Sequence, residues 1–268
     1  MQIIESFNDL QRQVVEIRSL RLGFITNFFP DIEKHSLWIE KRHCFTERIN
    51  DSLFIIKKSN SFWSVFYCST TMEELGIDLS VFHARYPKET IVYDLVGRDV
   101  QCSSLVELFK ASGCHESTSL VRMTRMTVPI EFVSDSSVRY AVEQDLFWIS
   151  EQLHKYFEER TEQIPFNEEL EEYIKKGHVL VCEEDGQMAG FLIYDLNATT
   201  LYLRYWFTSP EYRDRKVGSR LFRRSFEEGK DTKRQILWVI RTNENAIVRY
   251  YHYGFFEENM YDFVMQHN

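Results

Sequence analysis

"FTSPEYRDRKVGSRLF", residues 207–222, decides how the rest of the chain is read. It opens on the end of "TLYLRYWFT" (200–208), whose aromatic and aliphatic alternation predicts a strand. Pro210 then punctuates a turn, and Arg213, Arg215, Lys216 and Arg220 crowd around the single glycine, Gly218. From Val217 the apolar spacing becomes helical and continues to Gly229. A helix N-terminus has backbone N–H groups without partners and a partial positive charge. A strand that turns straight into such a helix is therefore a ready seat for an anion. The competing reading is a solvated charge run, the common fate of basic clusters.

The composition narrows the choice. The chain has 268 residues, 44% of them apolar, enough for one large domain or two ordinary ones with packed cores. The net charge of −9 discourages nucleic-acid binding. Most of it lies in residues 127–268, so the basic cluster is a local positive spot in the more acidic half, suited to a small anion. No apolar run approaches the roughly 20 residues that cross a bilayer, and the N-terminus does not read as a secretory signal. No membrane association is expected. Cys44, Cys68, Cys102, Cys114 and Cys182 are scattered, with no CxxC pair, which predicts reduced thiols in a cytoplasmic protein rather than disulfides or zinc.

Working outward, the pattern predicts helices over 8–29, 71–85, 103–111, 137–158, 166–176, 217–229 and 243–253. Strands are predicted over 52–57, 62–68, 90–96, 117–126, 200–208, 235–240 and 255–265, with a hairpin at 178–196 turning on Asp185-Gly186. Pro129 and "SDSS" (134–137) punctuate the middle of the chain. The alternation indicates an α/β fold with a mixed sheet. "LFKASGCHESTSLVRM" (108–123) and "VRYYHYGFFEENMYDFVM" (248–265) share a helix end, a glycine stop and a strand, with Phe109 and Tyr250 each four residues before the glycine. A duplicated unit would explain the length of the chain and its short junction.

The second half resembles the GNAT N-acetyltransferase superfamily. Pro210-Glu211-Tyr212 and the run Arg213 to Gly218 are similar to that family's turn and Arg/Gln-x-x-Gly-x-Gly/Ala loop. Asn243, Ala246, Tyr250, Gly254 and Phe255 follow in the family's second pattern. One departure stands out, because Lys216 occupies the place of the loop's first glycine. An ordinary helical backbone there would cost nothing, whereas a positive φ would weaken cofactor binding.

The resemblance implies a GNAT fold with a splayed mixed sheet and a catalytic, acyl-CoA-binding domain over 127–268. Residues 1–126 would be a degenerate GNAT-like accessory domain that walls the acceptor cleft, so that a monomer imitates a dimer. It implies acetyl-CoA as co-substrate, no metal, and a small-molecule or peptide amine as acceptor. Phe207, Thr208, Arg213, Arg215, Lys216, Val217, Gly218, Ser219 and Asn243 would bind the cofactor. Tyr250 would protonate the leaving thiolate, and a backbone N–H of the third strand would stabilise the developing oxyanion. A non-catalytic CoA-binding or interaction module is the alternative.

Three points rest on the residues alone. The third strand, "TLYLRYWFT", offers no acid as general base, and Glu183, Glu184 and Asp195 read as solvated strand-edge charges, which leaves proton removal to water. Arg204 in mid-strand faces either solvent or the cleft, and if it faces inward it favours an acidic group on the acceptor. His154, His178 and His252, and the group of His35, His43 and Cys44, show no ligand spacing.

Overall fold

The computed structural model describes residues 1–128 and 135–268, so the punctuation at Pro129 and Ser134 lies outside the described residues. In chain order the elements are β1 (Gln2–Ile3), α1 (Phe7–Ser19), β2 (Ile25–Thr26), α2 (Ile32–Glu40), β3 (Cys44–Ile49), β4 (Ser52–Lys58), β5 (Trp63–Ser69), α3 (Met72–Arg85), β6 (Ile91–Gly97), α4 (Asp99–Ala111) and β7 (His115–Met126). There follow β8 (Val138–Tyr140), α5 (Leu146–Tyr156), α6 (Glu159–Glu162), α7 (Asn167–Lys175), β9 (Val179–Glu184), β10 (Gln187–Asn197) and β11 (Thr200–Thr208). A 3₁₀ turn (Pro210–Arg215) leads into α8 (Val217–Glu228), β12 (Arg234–Ile240), α9 (Glu244–His252) and β13 (Phe256–His267).

Two compact units result: Met1–Leu120 with Asn259–Asn268, and Val121–Glu258. In the first unit the strands run in the order β3, β4, β5, β6, β13. In the second they run β9, β10, β11, β12, β7. Each unit thus has an antiparallel three-stranded meander, then a parallel partner, β6 on β5 and β12 on β11. Each is completed by a strand that follows the other half's last helix. Gly113 and Gly254, φ 90° and 82°, stop the corresponding helices α4 and α9. The order of strands and helices is alike in the two units.

Two expected helices are shorter than their periodicity suggests. The first ends at Ser19, because Arg21 (φ 58°) and Gly23 (φ 117°) turn the chain back so that β2 can pair with β5. The residues that continue the helical spacing, Phe24 among them, pack on the core from a loop and a strand. The other starts at Leu146 rather than 137. Residues 138–140 pair with β9, and the Asp145 carboxylate accepts from the Val142 amide while holding Arg139. Pairing on a sheet edge outweighed local helix preference. Helix α2 and strand β3, absent from the sequence reading, bury Trp38, Ile39, Cys44 and Ile49. All five cysteines are buried and free.

In the first unit β5 and β6 pair only at Trp63–Ile91 and Ser64–Val92 and then diverge. The gap is bridged by Asn27: its amide nitrogen donates to Asp94 O at 3.0 Å, and its carbonyl accepts from Tyr67 N at 2.7 Å. Elsewhere in this unit ligand-type atoms of His83, Cys114 and His267 lie within 4.8 Å of one another. Both nitrogens of His83 are already engaged, with Ser112 O and the Tyr93 hydroxyl, each at 2.9 Å, and its ring stacks on His267 at 3.8 Å. Packing and hydrogen bonding account for that cluster.

Candidate active site

The second unit is built around Leu146, Ile149, Leu153, Leu170, Val179, Val181, Phe191, Ile193, Tyr205 and Phe207, which lie between α5, α7 and one face of the sheet. Against the other face, α8 packs through Val217, Leu221, Phe222 and Phe226. Its approach to β11 is close at Gly218, where a Cβ would lie 3.0 Å from both Thr208 Oγ1 and Trp206 Cζ2. This modifies the expectation for Gly218: a side chain there meets β11, so the glycine is needed for helix–strand packing.

Lys216 decides the question its sequence position raised. It adopts φ 61°, ψ 15°, the left-handed region, and forms the N-cap of α8 without any side-chain cap hydrogen bond. The first turn of α8 is therefore uncapped at a strand-to-helix junction. Arg215, Lys216, Ser219, Arg220 and Arg223 line a groove there. The basic residues do not contribute equally. Arg215 pairs with Asp185 at 2.5 Å, and Arg220 pairs with Glu184. Among the described residues Arg213, Lys216 and Arg223 make no ion pair. Glu183 and Glu184, expected as solvated edge charges, are instead held by Arg139 and Arg220. Ser219 accepts from the Tyr253 hydroxyl at 3.0 Å. Asn243 caps α9 through Oδ1, which accepts from Ala246 N at 3.2 Å.

Strand β11 leaves its parallel partner early. Pairing with β12 covers Thr200–Arg234 to Leu203–Leu237 and stops, so residues 204–208 diverge from the end of β12. On its other edge Ile193 faces Tyr205 while Tyr194 faces Leu203, so Arg204 is the extra residue of a β-bulge. Beyond the bulge Trp206 faces α8 and α9, packing on Phe222 at 4.4 Å and on Tyr250 at 5.8 Å. Its Nε1–H is buried without an acceptor. A buried donor left unmet is costly, so a ligand carbonyl reaching it would be favoured. In the first unit, by contrast, Asn27 bridges the gap between β5 and β6.

Tyr250 lies on α9 against Trp206, Phe222 and Phe255. Burial pushes its phenol well above its usual range, and the Glu162 carboxylate acts in the same direction, so the hydroxyl is protonated at neutral pH. Glu162 is the residue that sequence reading missed. It sits at the end of the short helix α6, its carboxylate accepts from Glu158 N at 2.9 Å, and burial raises its pKa. The Tyr205 hydroxyl donates to the carbonyls of Glu162 and Gln163, both at 2.8 Å, fixing α6 over the bulged part of β11. No periodicity marks "EERTEQ" (158–163), so the only available signal was the gap between two predicted helices.

Residues 144–255 match the family model described as the acetyltransferase (GNAT) family. Over this segment the chain is similar to that family. Over 80 residues the chain is 32% identical to an uncharacterized N-acetyltransferase of Archaeoglobus fulgidus, an alignment covering 26% of this chain and 54% of that protein. The chain thus spans about half the length of the curated relative it matches. Among solved structures, a tandem GNAT protein from the clavulanic acid biosynthesis pathway aligns at TM-score 0.61 and 11% identity, over 97% of this chain and 96% of that one. A GCN5-related N-acetyltransferase from Sphaerobacter thermophilus aligns at 0.58 and 13%, over 80% and 76%. A GNAT-family acetyltransferase from Colwellia psychrerythraea aligns at 0.56 and 11%, over 98% and 97%. At such identities the likeness is one of fold, and it extends over most of the chain. Among the described residues no helix is long and apolar enough to cross a membrane.

Proposed function

We propose that Val121–Glu258 transfers an acetyl group from acetyl-CoA to an amine, and that the first unit is a degenerate GNAT-like partner that binds no cofactor. One observation carries the reading most directly. An uncapped helix N-terminus, a diverging strand pair and a buried Trp206 N–H without an acceptor lie along one path. The path fits the cofactor in chemistry as well as shape. The N–H groups of Val217, Gly218 and Ser219, with Arg213, Lys216 and Arg223 around them, suit a diphosphate. The gap beyond Leu203 suits an extended arm, and Trp206 supplies a donor for one of its carbonyls. Phe207 is buried toward α5, so its contact would come from its backbone, while Asn243 would contact the arm with the side-chain groups its capping bond leaves over.

The chemistry assigned to the residues is direct transfer. Glu162, made more basic by burial, takes the proton of the acceptor ammonium. The neutral amine attacks the thioester carbonyl, and a backbone N–H of the bulged segment of β11 meets the negative charge that develops on oxygen. As the C–S bond breaks, Tyr250 donates its proton to the sulfur and is reprotonated from solvent. In the first unit the comparable strand gap is closed by Asn27, and the first turn of α3 carries Glu73 and Glu74, which repel phosphate. The five buried thiols suit a reducing compartment such as the cytoplasm.

Calorimetric titration with acetyl-CoA, followed by a thiol-release assay over an amine panel, tests the proposal. Binding with stoichiometry one and thiol release dependent on an amine are expected. Absence of binding at millimolar cofactor would refute it, and binding without release for any amine would leave a non-catalytic module.

A further inference from the structure

Arg204 would be an unusual residue to find in mid-strand if it served only as a surface charge. Alternation along β11 places Arg204 on the face that carries Tyr202, and the bulge brings Tyr205 onto that face beside it. Its guanidinium carbon lies 4.8 Å from the Tyr202 ring centre and 6.0 Å from that of Tyr205. The side chain is 16% exposed, too enclosed for a solvated charge yet open to a small ligand. Among the described residues its only acidic partner is Asp195, with Nε and Oδ2 3.9 Å apart, at the outer limit of an ion pair. A guanidinium has five N–H donors arranged as a planar fork. One distant carboxylate and a contact with the Tyr205 side chain orient that fork, which has five donors, and the tyrosine rings screen it from water.

The neighbours of this group matter as much as its charge. Tyr205 follows Arg204 directly, and its hydroxyl reaches the Glu162 and Gln163 carbonyls. Tyr205 thus connects the Arg204 side chain beside it to the main chain of Glu162. Glu162 is also the carboxylate that acts on Tyr250.

Building on the proposed acetyl transfer, we infer that Arg204 binds a carboxylate on the acceptor, so that the acceptor class is an amine that also carries a carboxylate, an amino acid. The Arg204 fork would take the acceptor carboxylate in two charge-assisted hydrogen bonds, placing the amine at Glu162. A planar fork distinguishes a carboxylate from a primary amide, and Lys in its place would keep the charge without the two-point contact.

The test compares amines with and without the carboxylate: lysine against cadaverine, phenylalanine against phenethylamine, γ-aminobutyrate against butylamine. The wild-type protein is expected to favour the carboxylated member of at least one pair by about tenfold or more in kcat/KM, the range for a charge-assisted hydrogen bond. Arg204→Gln should raise KM for that member and reduce the ratio to about threefold or less. Arg204→Lys should restore part of it. Wild-type rates that favour the uncarboxylated amines throughout would overturn the inference without needing any variant. So would an Arg204→Gln protein that melts normally and loses activity equally on both members, since that describes a packing residue. Cofactor binding with no thiol release from any amine would instead refute the acetyl-transfer reading beneath it.

Discussion

Replacing Lys216 by glycine separates two things that this position does at once. Its backbone is left-handed, φ 61°, which costs a residue with a side chain about 1–2 kcal/mol relative to glycine. Glycine recovers that strain but gives roughly 0.5–1 kcal/mol back through the greater freedom of the unfolded chain. The net expectation is a stabilisation of about 0.5–1 kcal/mol, or about 1–4 °C in Tm for a unit of this size. The ammonium acts separately. It is exposed at the rim of the groove, so its loss should weaken acetyl-CoA binding by no more than about fivefold, and the difference should fade in high salt. Lys216→Ala completes the comparison, because it removes the charge and keeps the strained backbone. Thermal melts without cofactor should rank glycine above wild type and alanine level with wild type. Calorimetry with acetyl-CoA should show both variants weakened alike at low salt. If alanine stabilises as much as glycine, the strain is not in the backbone and the reasoning fails. If cofactor affinity is unchanged in both, the ammonium has no part in the anion seat.

Tyr250→Phe should lower kcat by about 10²–10⁴ while leaving acetyl-CoA affinity nearly intact, and an unchanged rate would mean that solvent protonates the thiolate. Glu162→Gln should lower kcat by a similar factor of about 10²–10⁴. In the wild type the low-pH limb of kcat/KM should fall as pH drops through the raised pKa of Glu162, and that limb should disappear in the variant; a limb retained unchanged would assign the base elsewhere. Acid should destabilise the first unit in a specific window. Burial lowers His35 and His83 from 6.5 to about 4, so between these values the unfolded chain binds protons that the folded rings refuse. Stability is then full above about pH 6.5 and lost progressively toward pH 4, by up to about 3 kcal/mol for each ring. Urea midpoints measured across that range check this, and a flat profile would show that the rings titrate normally.

Much of the site was legible because its chemistry is local. An uncapped helix start after a strand, the loop around Gly218, and the run from Asn243 to Phe255 are properties of contiguous residues, and periodicity places them. The repeat around Gly113 and Gly254 was legible for the same reason. Three features were not. Lys216 could be helical or left-handed by sequence alone, and only the junction of the 3₁₀ turn with α8 decides its φ. Glu162 lies in a four-residue helix whose place over β11 is set by hydrogen bonds from Tyr205, more than forty residues away in sequence. Arg204 shares the face of Tyr202 by alternation, but only the bulge, where register with β10 slips, brings Tyr205 beside it. The partner strands of β7 and β13 were also invisible, since a strand's pattern states which face is apolar and not which strand it pairs with. Local preference and hydrophobic period are written along the chain, whereas register, bulges and the choice of partner strand depend on distant residues and are settled only when the sheets assemble.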